Sequence, residues 1–528
     1  MSPNRRIFLN IIATYGRSLY ALVLGLMTAR WALSALGEVD YGLMGLVGGL
    51  TGFITLINTL LSTAVGRFYA VYIGKASIME NKNEGILECN KWFSSAVIIH
   101  TIVPFLLLVI GYPIGVWAIR NFFTIPTNRV MDCIWVFRFV CITCFLAMIS
   151  VPVSAMYRAK QCIAELTVYS FVTTTLNAIF LYYMSVTPGV WLAKYAFWTC
   201  LLAIVPQIII TTRGFVIFPE CRFKFEYCLS ASRAKSLFSF AGWSFFGLFG
   251  GILRNQGMQI LVNKYFGPRM NTSMSIANSV NAQTTTLSGA MLTAFQPAIV
   301  SAYGAGDNDK MRTLAFRACK FAMLLMLIFA LPISLELRQI LRLWLKSPPM
   351  YTYGLCLIMF AMTIIDQSTI GYIAAVNANG RIAKYQTFLG SSLMMALPIA
   401  WFLCALGLNV YFCGLAMLIT LTICAWGRVW FGRQLVGLSV RYWAVHVVLP
   451  VFILGIICAL LGILPRFIIG DSLLRIVFTT FLCELVLMLG AWLGVLDDVE
   501  RAIVRRWANR FKEKVLSAYG GIISNKTR

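Results

Sequence analysis

The run IFLNIIATYGRSLYALVLGLMTARWAL, from Ile7 to Leu33, decides how the rest of the chain is read. As a helix it extends about 40 Å at 1.5 Å per residue, enough to cross a hydrocarbon core of roughly 30 Å. Arg17 and Arg30 are the only charges in it. Its apolar residues are continuous, which excludes the strands of a transmembrane β-barrel, where polar and apolar residues alternate over about 10 positions. Arg5 and Arg6 precede it, and no small-residue cleavage site follows a short apolar core. The run therefore reads as a retained first helix and not as a signal peptide.

Runs of the same kind recur near 41–65, 93–118, 133–153, 166–186 and 193–213, then near 236–262, 272–300, 317–341, 352–376, 386–406 and 409–427, with a final pair near 443–464 and 472–496. The expectation is an all-α polytopic membrane protein of about 14 transmembrane helices. Composition agrees: 59% of the 528 residues are hydrophobic and 12% charged, where soluble domains carry about 25% charged residues. Pro104, Pro152, Pro206, Pro297, Pro332, Pro398 and Pro450 fall inside the runs and predict kinks.

The basic residues give an orientation. With the N-terminus inside, about 30 of the 44 Lys and Arg fall in inner segments, as the positive-inside rule requires. This places both termini on the cytoplasmic side of the membrane. Arg338, Arg342 and Lys346, in an outer stretch, run against the rule. The net charge of +25 is dispersed among the spans and builds no soluble basic face, so nucleic acid is not an expected partner; anionic membrane lipid is. Most of the 15 cysteines lie inside apolar runs without metal or redox spacing, so neither zinc nor disulfides are expected.

Two echoes point to an internal repeat. Leu36-Gly37 ends the first span and Phe266-Gly267 the seventh, 230 positions later; Gly74 and Gly304, after the second and eighth spans, repeat that offset. Six spans per repeat make parallel repeats about an axis along the membrane normal, with substrate between the halves. The expected domains are a six-helix bundle at 1–230, a second at 231–430, and two further helices with a tail at 431–528. In that tail Ile503, Trp507, Phe511 and Val515 recur at helical spacing among Arg and Lys, a basic amphipathic helix on the inner surface.

Enzyme signatures are missing. There is no Walker A loop, HExxH or Gly-x-Ser-x-Gly, and the longest outer connection is roughly fourteen residues, so no catalytic residue, metal or cofactor is expected. His100 and His446 each stand alone in an apolar run and read as structural. Intramembrane charges carry more information, because an Arg mid-span costs about 2.5–3.5 kcal/mol to insert. Arg17 and Arg254 lie well inside spans, while Arg30 and Arg138 are near enough to the ends to snorkel. Asp366, Glu336 and Glu484 are too few to neutralise the cations, and Asp366 is a candidate for coupling or gating, or for pairing an Arg. A cationic surplus favours an anionic ligand, with Arg suited to phosphate.

Polar residues fall on single faces: Asn10, Thr14, Arg17 and Thr28 in span one; Thr51, Thr55, Asn58 and Ser62 in span two; and Asn278, Asn281, Thr285, Ser288 and Gln296 in span eight. Span seven clusters Arg254, Asn255, Gln256 and Gln259. Interhelical hydrogen bonding explains any one stripe. Their occurrence on the equivalent spans of both repeats points to a shared polar cavity. Gly45-x-x-x-Gly49 and Gly247-x-x-Gly250-Gly251 read as close-packing motifs.

Several stretches resemble the Wzx-type polysaccharide flippases of the MATE-like multidrug/oligosaccharidyl-lipid/polysaccharide exporter superfamily. They are TARWALSALGEVDYG from Thr28 to Gly42, GRFYAVYIG from Gly66 to Gly74, Phe266-Gly-Pro268, Phe295-Gln-Pro297 and SAYGAGD from Ser301 to Asp307. The likeness runs over most of residues 5–435. It implies two six-helix bundles working by alternating access, often with two additional helices. It also implies a polyprenyl-pyrophosphate-linked oligosaccharide as substrate, O-antigen, capsule or exopolysaccharide units being the class, and a neighbouring polysaccharide polymerase machinery. Cavity arginines holding the pyrophosphate map onto Arg17 and Arg254; Arg30 and Arg67 lie in the resembling stretches. Drug exporters of the superfamily place acids in the first bundle, where this chain has Arg17. A cation-coupled drug antiporter, a peptidoglycan-precursor flippase and a membrane-bound transferase remain alternatives.

Overall fold

The computed structural model describes residues 3–50, 82–160, 162–227, 231–379, 382–502 and 505, with individual positions between 52 and 69. The side chains of residues 3–19, 82–85, 234–244 and 286–294, and a few isolated ones, lie outside that description. All described regular structure is helical. The main elements are α1 (Pro3–Leu50), α2 (Lys82–Asn121), α3 (Val130–Ile149), α4 (Val151–Ala159), α5 (Ile163–Val186), α6 (Leu192–Ile217), α7 (Ala231–Gly304) and α8 (Asn308–Leu335). They continue with α9 (Leu337–Leu345), α10 (Thr352–Ser368), α11 (Ile370–Asn379), α12 (Ala383–Met394), α13 (Ala396–Ala405), α14 (Tyr411–Val436), α15 (Leu449–Ile463) and α16 (Leu473–Gly490). Among the described residues, eight helices are long and apolar enough to cross a membrane, or nine if α10 and α11, bent by 43°, form one span.

The expectation of fourteen spans divides α1 and α7 in two, and the backbone marks where. α1 passes through Gly37 at φ 74, ψ 175, and α7 through Gly267 at φ 80, ψ 178. A positive φ with extended ψ is open essentially to glycine alone. The two glycines predicted to be equivalent thus share one rare conformation 230 positions apart.

Several prolines expected to kink helices instead start them, where the missing N–H costs nothing. Ser150 ends α3 and Pro152 opens α4; Pro450 opens α15 after a π-turn at Ala444–Val448. Pro104, Pro206 and Pro332 do sit inside α2, α6 and α8.

The contacts divide into two compact units. The first comprises residues 1–286, 341–366 and 379–431. Lipid is as apolar as a leucine side chain, so close packing, and not removal from water, holds its helices together. Leu43, Leu46 and Val47 interdigitate with Ile119, Cys133, Ile134 and Leu192, all buried. A second cluster joins Tyr69, Phe93, Met156, Tyr157 and Ile210. The segment leaving α6 is tied back to this bundle: buried Glu220 accepts from Lys160 Nζ at 2.5 Å, Asn90 donates to the Arg222 carbonyl, and Ser94 Oγ accepts from the Lys224 amide at 3.1 Å. Gly250 packs directly on Gly390 of α12, as its motif predicts.

The second unit comprises residues 287–340, 367–378 and 432–528. Here α15 and α16 dock on α8 through small residues, with Gly462 against Leu335 and Cys483, and Gly455 against Leu327. Glu336, 1% exposed, accepts from Arg475 Nη2 at 2.9 Å and Thr479 Oγ1 at 3.1 Å, and Arg466 lies 3.7 Å away. Lys320 Nζ meets Glu500 Oε2 at 2.8 Å.

A Cβ at Gly250 would lie 2.5 Å from the Gly390 carbonyl oxygen and 2.7 Å from its Cα, whereas one at Gly251 meets nothing within 4 Å. Gly250→Leu is therefore expected to destabilise by about 3 kcal/mol or more, since backbone cannot yield as a side chain does. Gly251→Ala is expected to be near neutral. Thermal unfolding of the two detergent-purified variants, followed by size-exclusion chromatography, checks the difference.

Candidate functional site

Span two presents Gly42, Gly45 and Gly49 on one face of α1 after its break, and Gly52 lies two residues beyond that helix. That face lies against α7: Gly42 packs on Pro268 and Thr272, Gly45 on Ser275 and Gln259, and Gly49 and Gly52 on Gln256. Thr272 Oγ1 donates to the Glu38 carbonyl, and Asn263 brackets Thr124, accepting from its amide at 3.1 Å and donating to its carbonyl at 3.4 Å. The two sequence halves thus meet along a seam of glycines and hydrogen bonds beside the Gly37 break.

Next to this seam opens a cavity of about 570 Å³. Its walls come from residues 25–45 of α1, from Asn177 and Leu181 of α5, from Tyr195 of α6, and from residues 259–282 of α7. The polar lining groups are Thr28, Tyr41, Asn177, Tyr195, Gln259, Ser275, Asn278 and Ser279, all uncharged hydrogen-bonding side chains. Asn177 Oδ1, Gln259 Oε1 and Ser275 Oγ are buried without a protein partner. Such a surface offers donors and acceptors to a polar uncharged ligand, and hydroxyl-rich groups suit it.

The charged groups gather elsewhere in the same unit. Arg428 Nη1 of α14 meets Asp366 Oδ1 of α10 at 2.6 Å. Arg254 of α7 lies within the electrostatic reach of both, its Nε donates to Asn255 Oδ1 at 3.1 Å, and its Nη1 is buried with no protein partner. Arg254 thus stands as a second guanidinium in the electrostatic surroundings of the Asp366–Arg428 pair. At about 100° per residue Arg254 leaves α7 on the side away from Gln256 and Gln259, and it is not among the residues that line the cavity.

The other expected residues are dispersed. Thr28 and Asn278 line the cavity, while Asn281 is turned aside to accept from Thr363 Oγ1. Gln256 fills the glycine seam, and Asn255 pairs with Arg254. Arg30 Nη1 donates to the Leu343 carbonyl at 3.4 Å. Arg138 is held between the Tyr112 hydroxyl, 2.9 Å from Nε, and the Trp135 ring, 4.7 Å from its guanidinium carbon, away from the cavity lining. Asn58 has a buried Oδ1 without a protein partner. The side chains of Asn10, Thr14 and Arg17, and Arg67 altogether, lie outside the described residues. Sequence reasoning missed Arg428, Asn177, Tyr41 and Tyr195. Arg428 could have been found, because Val429, Trp430 and Phe431 continue the apolar run beyond it.

Residues 244–413 match the MatE family model. No curated protein matches the chain by sequence. Among solved structures, the lipid II flippase MurJ in an inward closed conformation superposes with a TM-score of 0.60 at 11% identity, over 92% of this chain and 98% of that one. An inward-facing multidrug resistance MATE family transporter of the MOP superfamily gives 0.59 at 14% identity, over 80% and 94%. An outward-facing multidrug resistance MATE family transporter gives 0.52 at 17%, over 82% and 95%. The all-helical fold of this chain is the MATE-like one.

Proposed function

We propose that the protein is a transporter that moves a polyprenyl-pyrophosphate-linked oligosaccharide across the membrane by alternating access of two six-helix repeats, at 1–230 and 231–430. The observation that carries this reading is a buried guanidinium nitrogen, Arg254 Nη1, with no protein partner among the described residues, near the Arg428–Asp366 pair. Buried donors of this kind favour a phosphate-bearing ligand. Arg17, the other candidate for the pyrophosphate, keeps that role in the proposal. The uncharged hydrogen-bonding cavity suits sugar hydroxyls, and the prenyl chain stays in lipid. The likeness to the lipid II flippase MurJ supports a lipid-linked substrate. The glycine seam is then a gate between the halves that opens on the way to release.

The cation-antiporter reading needs a carboxylate free to bind and release a cation, and Asp366 is already held by Arg428 at 2.6 Å. The peptidoglycan-precursor reading shares the pyrophosphate and differs only in the glycan.

In vesicles loaded on one leaflet, wild-type protein is expected to make lipid-linked oligosaccharide accessible to an impermeant enzyme. Arg254→Ala is expected to slow access about tenfold or more, since a charge-assisted hydrogen bond contributes about 1.5–3 kcal/mol. A rate unchanged by the substitution would discard the arginine site while keeping the activity. Loading lipid II beside a surface-polysaccharide precursor separates the two glycan readings.

Asp366→Asn removes the carboxylate that holds Arg428 and, because Asp366 is partly exposed, is expected to lower stability by about 1 kcal/mol. Adding Arg428→Met is expected to restore most of the loss, which a double-mutant cycle of unfolding free energies measures. Ion-driven dye efflux that disappears in Asp366→Asn would instead support the antiporter.

A further inference from the structure

α13 and α14 are joined by a turn over residues 406–410, and both helix ends are fixed by caps. At the end of α13 the Gly407 amide donates to the Cys404 carbonyl at 2.9 Å and the Leu408 amide to the Leu403 carbonyl at 3.3 Å, with Gly407 at φ 79. This is the left-handed glycine stop common at helix C-termini. At the start of α14 the Asn409 Oδ1 accepts from the Tyr411 amide at 3.0 Å, and the Cys413 amide donates to the Val410 carbonyl at 3.1 Å. The result places Cys404 Sγ and Cys413 Sγ 3.4 Å apart. Both residues are buried, at 6% and 0% exposure, directly beneath an exposed Gly407 and Asn409. A disulfide needs about 2.05 Å between sulfurs, so little more than about 1 Å of approach separates two thiols from a bond. On the orientation expected from the basic residues this turn faces the outer compartment, where disulfides form and persist.

We propose that Cys404 and Cys413 are an intramolecular disulfide in the native membrane, a modification site that latches the outer ends of α13 and α14. Both S–H bonds are lost and one S–S bond forms. The two electrons and, by way of solvent, the two protons pass to the disulfide of a thiol–disulfide oxidoreductase of the outer compartment, which leaves as its dithiol after a mixed disulfide. The exposed turn beside the pair is the route by which that partner reaches it. The latch acts on α14, the helix that carries Arg428, so it steadies the span holding Asp366. The proposal rests on the membrane orientation and stands apart from the choice of substrate.

The test takes native membranes, quenches them in acid, and alkylates free thiols with N-ethylmaleimide in denaturant before digestion and peptide mass analysis. The expected result is a peptide pair linked through Cys404 and Cys413, lighter by two hydrogens than the dithiol and unlabelled until reduced. Alkylation of both thiols in the quenched sample overturns the proposal, as does linkage of either to another of the 15 cysteines. Thermal unfolding gives a second measurement: dithiothreitol is expected to lower the Tm of wild type and leave that of Cys404→Ser unchanged. An equal effect on both also overturns it.

Discussion

A charge removed from water must find an opposite charge or enough donors and acceptors to replace its hydration, and in a chain this apolar that requirement shapes the packing. Several of the described acids inside or beside the helices answer it with basic or hydroxyl partners. Glu336 collects Arg475, Arg466 and Thr479, which pins α16 to the end of α8. Glu220 collects Lys160, and Glu500 collects Lys320, with Arg317 3.6 Å away. At Glu336, Glu500 and Asp366 alike, more than one basic side chain gathers near one carboxylate. What marks the Asp366 cluster is that its second guanidinium, Arg254, comes from α7, the helix that also walls the polar cavity.

The second constraint is steric. Where no hydrophobic driving force distinguishes one helix neighbour from another, contact depends on how near two backbones can come. Gly42, Gly45, Gly49 and Gly52 bring span two against α7, while Gly250 and Gly390 bring α7 against α12. α7 is thereby packed on both sides. Its polar residues are distributed accordingly, with glutamines toward the seam and Arg254 on the side away from them.

The architecture was largely legible because apolar continuity and glycine placement are local properties. The Gly37 and Gly267 correspondence could be read from spacing, and both backbones adopt the same conformation. The basic stretch at Arg338 and Arg342, anomalous by the positive-inside rule, belongs to α9, a short separate helix whose Leu337, Leu341 and Leu345 are buried. Charges on the other face of such a helix need not cross a bilayer. The site was less legible. Thr28 and Asn278 could be placed on faces by helical period; Asn177 enters the cavity from α5, where Thr167, Ser170, Thr174 and Asn177 share a face, and Tyr195 enters from α6 as a single aromatic hydroxyl. Arg428 was hidden because the span was ended one residue before it. Its partnership with Asp366 joins α10 and α14, a contact that no single-helix periodicity encodes.

The tie between the segment after α6 and the first bundle bears on how the halves are connected. Phe218 to Tyr227 is the chain that follows α6. Glu220, the Arg222 carbonyl and the Lys224 amide are all bonded to side chains of Lys160 and α2, and the Tyr227 carbonyl accepts from Ser95 at 2.8 Å. This stretch is therefore upholstery of the first bundle and contributes no slack. The start of α7 is fixed at the same place, for Arg233 donates to Ser95 Oγ at 3.0 Å and to the Tyr227 carbonyl at 3.1 Å. Ser95 of α2 is thus a hub for two segments, and the direction in which α7 sets out is inherited from α2.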